Sequence, residues 1–124
     1  MIDHVSLPVR DLDAARRFYA AALAPLGYTL LVERPHTIGF GKKYPEVWLN
    51  LRAAHAAVAD GGAHVALRAR SEQAVRDFHA AALAAGGTCD GPPGPRKAEM
   101  TPYFGAFVIC PDGNKIEAVA FPAS

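Results

Sequence analysis

The sequence lacks the features that mark several specialised classes of protein. Only two cysteines occur, Cys89 and Cys110, and their spacing matches neither a metal-binding nor a redox motif. No apolar stretch approaches the length of a membrane span. The formal net charge is +1, with arginine and lysine scattered, so no nucleic-acid or anionic-membrane partner is indicated. These absences predict an ordinary globular protein in a reducing, cytoplasmic setting.

The length and the first residues set two further bounds. A chain of 124 residues corresponds to a single domain, residues 1–124. The N-terminus enters a strand pattern at once, without the basic and then apolar leader of a secretory signal, so no signal peptide is expected.

The chain contains an internal repeat. When the sequence is aligned with itself so that His4 falls on His64, more than half of the positions up to Gly27 are identical. Such self-similarity indicates two copies of one supersecondary unit. Because a unit of half this length would be marginal alone, the two copies are expected to pack together, within a chain or between chains. The expected first unit is 1–51, the linker 52–62 and the second unit 63–124.

The first copy predicts a strand, a helix and three further strands. Residues 2–9 alternate with period two, which is typical of a strand. Asp11 then stands at a helix N-cap position. The residues that recur at helical spacing are Ala15, Phe18, Tyr19, Ala22 and Leu23, and the ranges assigned to elements are helix 12–24 and strands 28–33, 36–41 and 46–51.

The second copy repeats this plan. Ser71 stands at the N-cap of a helix over 72–84, which is expected to bury Val75, Phe78, Ala82 and Leu83. Residues 88–91 are expected to form at most a short strand, and the proline-rich residues 92–102 an irregular loop that either covers the site as a lid or is a surface connection. Strands over 104–110 and 115–121 are expected around an Asp112-Gly113 turn.

The alternation of side chains along the strands places three polar residues on the sheet faces that point away from the helices. If the apolar residues of the first strand of each unit face the helices, His4 and His64 point the other way. Glu117 has the same orientation on the last strand, where an unpaired charge would cost several kcal/mol. A metal bound by all three would satisfy them, and two histidines with one carboxylate is a catalytic ligand set. The alternatives are histidines that are hydrogen-bonded in the core or at the surface, and a solvated glutamate.

The residues that carry a family resemblance span nearly the whole chain. They are residues 2–12 followed by Phe18 and Tyr19, then 26–28, 64–67, and 111–119 at the end. In these the chain resembles the vicinal oxygen chelate superfamily, which includes glyoxalases, extradiol dioxygenases, methylmalonyl-CoA epimerase, and bleomycin- and fosfomycin-resistance proteins. The resemblance implies an α+β fold in which two βαβββ units form a U-shaped mixed β-sheet around a central metal site.

The resemblance also implies where ligands would lie. The positions of His4, His64 and Glu117 match three of the family's four ligands, and the fourth falls on Trp48, which cannot bind a metal. This departure favours a three-ligand set like that of the extradiol dioxygenases, with Zn, Fe, Mn, Ni or Co as the divalent ion. The fallback ligands of the same parity are Glu46 and Asn50.

Further candidates surround these ligands. Glu46 is a candidate catalytic base, and Arg68 either holds a substrate carboxylate or phosphate or extends to solvent. Trp48, Tyr103 and Phe107 either line an apolar pocket or belong to the core. Phe107 stands where the dioxygenases have a tyrosine, and the candidate substitutes are Tyr103, His36 and His55.

These observations predict a metal-dependent enzyme acting on a small oxygenated molecule, as a lyase, an isomerase or a ring-cleaving dioxygenase. One alternative is a non-catalytic binding protein of the bleomycin-resistance type, and another is a domain of the same fold with a vestigial metal site. The resemblance implies a homodimer. It leaves open whether the two units pair within one chain or by exchange between chains, in which case His4 would join His64 from a different chain.

Overall fold

The computed structural model describes residues 1–52, 63–97 and 101–122. Most of the expected linker therefore lies outside the described residues. The first unit begins with one strand and one helix, the helix continues into a 3-10 turn at Ala24–Leu26, and three strands follow. In chain order its elements are β1 (Val5–Val9), α1 (Leu12–Leu23), β2 (Thr29–Glu33), β3 (Thr37–Gly41) and β4 (Pro45–Leu51).

The second unit has the same order of elements, so the sequence repeat is also a structural repeat. Its elements are β5 (His64–Arg68), α2 (Glu72–Ala84), β6 (Thr88–Arg96), β7 (Tyr103–Ile109) and β8 (Lys115–Ala120). The turn between β7 and β8 contains Gly113 at φ 87°, a conformation that glycine adopts without strain. The expected fold class, an α+β chain of two βαβββ units, is confirmed.

Both helices begin where the sequence predicts. The side chain of Asp11 accepts a hydrogen bond from the backbone N–H of Ala14 at 3.0 Å, and Ser71 does the same for Ala74 at 3.1 Å. Each cap satisfies one of the N–H groups that a helix leaves without a partner in its first turn.

Each unit forms its own four-stranded sheet with the order first, fourth, third, second strand: β1-β4-β3-β2 and β5-β8-β7-β6. The first and last strands of a unit are parallel neighbours, and the other pairs are antiparallel. This topology places the first strand of a unit beside the strand that ends it. His64 and Glu117 are therefore brought to adjacent strands although many residues separate them in sequence.

The expected alternation of the strands is confirmed by burial. Leu7 and Val9 of β1 are buried against the helices, while His4 and Ser6 are exposed on the opposite face. The second unit follows the same pattern, with Leu67 buried and His64 exposed. The helix-covered sides of both sheets belong to one continuous apolar core.

Two local expectations were wrong. Leu83 is 37% exposed, and Ala74 takes the fourth buried place on α2. Residues 92–96, expected as an irregular loop, continue β6 to Arg96. β6 pairs only with β7, at the edge of its sheet, where prolines are tolerated because one side of the strand needs no N–H donor. Its pairing register shifts twice between Cys89 and Gly94, which hides any period-two pattern.

The two units pack through their helices and through the ends of their strands. α1 and α2 contact each other, and the ring of Phe18 lies against Gly87. Asn114, 2% exposed in the β7–β8 turn, donates from Nδ2 to the carbonyl of Pro8 at 2.9 Å. Neither α1 nor α2 has the length and apolar character needed to span a bilayer, and the described residues contain no other α-helix.

Candidate functional site

The face of the second sheet that points away from α2 carries a contact between His64 and Glu117. The Nε2 atom of His64 lies 2.9 Å from Oε1 of Glu117. Glu117 is 4% exposed, whereas the side chain of His64 is 47% exposed. Parallel pairing of β5 and β8 sets this geometry, because Ala66 stands opposite Glu117 and His64 is two residues before it. We call this surface the second-unit face.

Two aromatic side chains of β7 lie on the second-unit face beside the contact. Phe107 stands opposite Glu117 in the β7–β8 pairing, and its ring centre is 6.0 Å from that of His64. Tyr103 has the same parity. Burial and then the hydrogen bond and negative charge of Glu117 raise the pKa of Tyr103, while the charge of Arg96 opposes that rise. The structure thus brings Tyr103, a sequence candidate, to Glu117, and its catalytic role stays a prediction.

Two arginines stack on rings of the second-unit face. The guanidinium carbon of Arg68 lies 4.5 Å from the ring centre of Phe121, and that of Arg96 lies 5.4 Å from the ring centre of Phe107. Arg68 was a sequence candidate on the basis of parity. Arg96 was expected only in a loop, and the glycines and prolines of β6 offer no alternation from which its position could be read.

The corresponding face of the first sheet carries His4 and Trp48. We call it the first-unit face. Here the carboxylate in contact with the histidine is Asp3, which precedes β1, rather than a residue of the last strand. His4 Nδ1 lies 2.8 Å from Oδ1 of Asp3, and the His4 side chain is 54% exposed. A cavity of about 410 Å³ lies on this face, and its lining includes His4, Ser6, Arg34, Thr37, Trp48 and Asn50.

Trp48 occupies the place that Glu117 has in the second unit. Trp48 pairs with Ser6 as Glu117 pairs with Ala66, at equivalent positions of the repeat. A Cβ atom on Gly39 would lie 3.0 Å from the Trp48 ring, so glycine makes room for the indole beside it. The guanidinium of Arg34 covers the same indole at 5.8 Å. The alignment of Trp48 with Glu117 is therefore also a structural equivalence.

The described part of the chain does not bring three candidate ligands together. Within residues 1–52, 63–97 and 101–122, no three histidine, cysteine, aspartate or glutamate side chains are grouped closely enough to hold a metal ion. His4 is thus not grouped with His64 and Glu117. His36 is exposed after β2, and His55 lies outside the described residues.

The other ligand and base candidates are engaged elsewhere. Asn50 Oδ1 accepts a hydrogen bond from Thr37 Oγ1 at 2.5 Å. Glu46 accepts from the backbone N–H of Lys42 at 3.3 Å, and its charge contributes, after burial, to the raised pKa of Tyr28. Glu46 lines a separate cavity of about 230 Å³ at the junction of the two units. The lining of this cavity also includes His4 and Ala66.

The chain belongs to the Glyoxalase/Bleomycin resistance protein/Dioxygenase superfamily, whose family model matches residues 1–118. A glyoxalase/bleomycin resistance protein from Albidiferax ferrireducens T118 is similar over 94% of this chain and 96% of that chain, with 31% identity and a TM-score of 0.83. No curated protein matches this chain.

Two more distant solved structures share the fold. A family enzyme from Burkholderia phytofirmans PsJN covers 98% of each chain at 17% identity, with a TM-score of 0.74. A glyoxalase-related enzyme from Fulvimarina pelagi is 23% identical over 98% of this chain and 88% of that chain, with a TM-score of 0.72. At these identities the likeness concerns the fold alone.

Proposed function

We propose that the chain is a metal-dependent enzyme acting on a small oxygenated molecule, and that it works as a homodimer in the cytoplasm. The divalent ion is held by His64 and Glu117 of one chain and by His4 of the partner subunit. The observation that carries the proposal is the 2.9 Å contact of His64 with Glu117, a carboxylate only 4% exposed.

The donor set fits a divalent transition metal. A buried carboxylate is costly unless a cation or strong donors face it, and here its partner is an imidazole that remains half exposed. Two imidazoles and one carboxylate leave coordination positions open for substrate. A metal bound there would supply Lewis-acid polarisation of two neighbouring substrate oxygens, which is suited to lyase, isomerase or dioxygenase reactions.

The chain's own residues supply the surroundings. The hydroxyl of Tyr103 is protonated near neutral pH, as in any tyrosine, and burial raises its pKa further. It can therefore donate a hydrogen bond to a substrate oxygen. The rings of Phe107 and Phe121 lie beside those of His64 and Tyr103, respectively, and add apolar surface to the face. Tyr103 lies close enough to Glu117 for the carboxylate to raise the pKa of its hydroxyl, after the effect of burial.

The packing of the units supports the contribution of a second chain. α1 and α2 contact each other, so the helix-covered sides of the two sheets meet inside the chain and both open faces remain available. A first-unit face of one chain set against the second-unit face of another would bring His4 to His64 and Glu117. This exchange supports a homodimer with two equivalent sites.

The test is metal content measured by mass spectrometry, on protein purified without chelator or affinity nickel. We expect about one metal per chain in the parent, as the ligand set requires, and none in His4→Ala or Glu117→Ala. Mixing these two variants under exchange conditions should restore metal to one site of each mixed dimer, because that site has intact His4, His64 and Glu117.

The controls separate folding from binding. Asp3→Asn removes the partner of His4 but no ligand, so it should keep the metal. A parent that binds no Zn, Fe, Mn, Ni or Co at micromolar concentration would contradict the metal proposal. Metal in the parent without recovery in mixed dimers would contradict exchange between chains.

A second candidate function is metal-free binding of a small molecule, as in a non-catalytic or vestigial member of the fold. The observation that favours it is Trp48, which replaces a second carboxylate with an apolar ring. Saturable binding of an aromatic ligand with quenching of Trp48 fluorescence, unaffected by Glu117→Ala, would support this function over the first.

A further inference from the structure

We propose that the substrate is a planar molecule bearing a carboxylate, and that Arg96 binds the carboxylate while the ring stacks on the aromatic residues of the second-unit face. This inference rests on the proposed function for the location of the reacting oxygens. Binding of the carboxylate by Arg96 does not itself require a metal, so this binding and the metal-dependent function can be tested separately.

Arg96 is held in place from two sides. Its Nη1 donates to the carbonyl of Pro95 at 3.3 Å, and its Nη2 donates to the carbonyl of Pro92. Its guanidinium lies over Phe107, whose ring centre is also 6.0 Å from that of His64. A guanidinium fixed in this way loses little further freedom on binding a ligand.

The sequence of β6 leaves space for this position. A Cβ atom on Gly91 would lie 2.7 Å from Cδ2 of Phe107, and one on Gly94 would lie 3.2 Å from Nη1 of Arg96. Any side chain at Gly91 would displace the ring, and one at Gly94 would press on the guanidinium. The two glycines therefore permit Arg96 to fold back over Phe107.

Two arginines contribute positive charge to the second-unit face. Among the described residues, no carboxylate forms an ion pair with Arg96 or Arg68. Of the carboxylates on β6 and β8, Glu117 is already in contact with His64, and Asp90 forms an ion pair with Lys115 at 2.9 Å. A ligand anion would supply the missing partner, and a guanidinium binds a carboxylate through two parallel N–H bonds.

The shape of the face favours a planar ligand. The ring centres of Tyr103 and Phe121 are 6.0 Å apart, and Phe107 stands opposite Glu117 on the neighbouring strand, 6.0 Å from the ring centre of His64. Flat rings around one polar contact accept an aromatic or conjugated ring by stacking. We assign the acid to Arg96 rather than to Arg68, because Arg68 is exposed and lacks the backbone carbonyls that fix Arg96.

The experiment uses two probes of equal shape, 2-naphthoate and 2-naphthamide, which differ in charge and offer no pair of neighbouring oxygens on the ring. Their dissociation constants are measured by calorimetry on the full chain, both as purified and after dialysis against a chelator. Chelation removes any metal to which the naphthoate carboxylate would otherwise bind.

In the chelated parent, naphthoate should bind about tenfold or more tightly than naphthamide, as expected for a charge-assisted pair. Arg96→Gln should abolish the preference. The matched control is Arg76→Gln, which removes a guanidinium stacked at 4.8 Å on Phe104, on the side of the sheet covered by α2, and should keep the preference. If Arg96→Gln does not fold, Gly94→Ala tests the same position. Its added methyl group would press on the guanidinium of Arg96 and should reduce the preference for naphthoate.

Equal affinity for acid and amide in the chelated parent would overturn the inference. So would a preference that survives Arg96→Gln, or one that exists only with metal bound and disappears in Glu117→Gln. A preference that depends on Arg96 in a protein that binds no metal would support the inference and contradict the proposed function. The two failures are therefore distinguishable.

Discussion

Trp48 and Glu117 occupy equivalent positions in the two units, one opposite Ser6 on β4 and the other opposite Ala66 on β8. The repeat has thus kept its geometry while one copy carries an indole and the other a carboxylate. In the proposed dimer the first-unit face of one chain meets the second-unit face of another, so the two residues would lie on opposite walls of one site.

This equivalence predicts the effect of Trp48→Glu. A carboxylate at this position would add a fourth ligand, so the affinity for a divalent ion should rise by about tenfold or more, which corresponds to about 1.4 kcal/mol. Competition against a fluorescent chelator measures the change. Trp48→Gln, which removes the indole without adding charge, is the control, and equal affinities of the two variants would contradict the prediction.

Leu23 and Leu83 are equivalent in the repeat but differ in burial. Leu23 of α1 is 1% exposed and Leu83 of α2 is 37% exposed. Leu23→Ala should therefore cost about 2–5 kcal/mol of unfolding free energy, the range for buried leucines, and Leu83→Ala about 1 kcal/mol or less. Urea unfolding measures both, and similar costs would contradict the assignment of the buried helix faces.

Asn114 joins the two units through its side chain. Its Nδ2 donates to the carbonyl of Pro8, and the residue is 2% exposed. Asn114→Ala would leave a buried carbonyl without this donor, and we expect a loss of about 1–3 kcal/mol. Asn50→Ala removes a partly buried amide whose partners lie within the first unit, and serves as the control in thermal unfolding. A smaller loss for Asn114→Ala than for Asn50→Ala would argue against this contact between units.

The buried thiol of Cys110 should make the free energy of unfolding depend on pH in the alkaline range. Burial raises the pKa of the Cys110 thiol from 9.0 to about 12, so the folded chain keeps a proton that the unfolded chain releases. The protonated thiol therefore stabilises the folded chain fully below pH 9.0, and this stabilisation is lost as the pH rises from 9.0 to about 12. At about 1.4 kcal/mol per pKa unit, the loss is no more than about 4 kcal/mol of unfolding free energy.

Denaturant unfolding at a series of pH values tests this prediction. In Cys110→Ala the decline should start later, at about pH 10, where tyrosines of the unfolded chain ionise. The exposed Cys89 offers the matched variant, since Cys89→Ala should leave the curve unchanged. Coincident curves for the parent and Cys110→Ala would contradict the prediction.

Local patterns in the sequence determined the helix caps at Asp11 and Ser71, the two-unit fold, and the orientation of His64 and Glu117. These features depend on residues a few positions apart or on the internal repeat, so they can be predicted from the sequence without the tertiary structure. The exposure of Leu83 could not be read in this way, because helical periodicity identifies an apolar face without showing how far the neighbouring unit covers it.

Only the tertiary structure decided the parts of the site that depend on pairing between distant strands. The bulged register of β6 against β7 places Arg96 over Phe107, and no periodicity in the glycine and proline residues of β6 predicts it. The proximity of Tyr103 to Glu117 likewise follows from the β7–β8 pairing. The packing of the two units, which includes the contact of α1 with α2, decided that His4, His64 and Glu117 do not form one group of ligands within the described residues. The burial of apolar surface between units, rather than local sequence, sets how they pack.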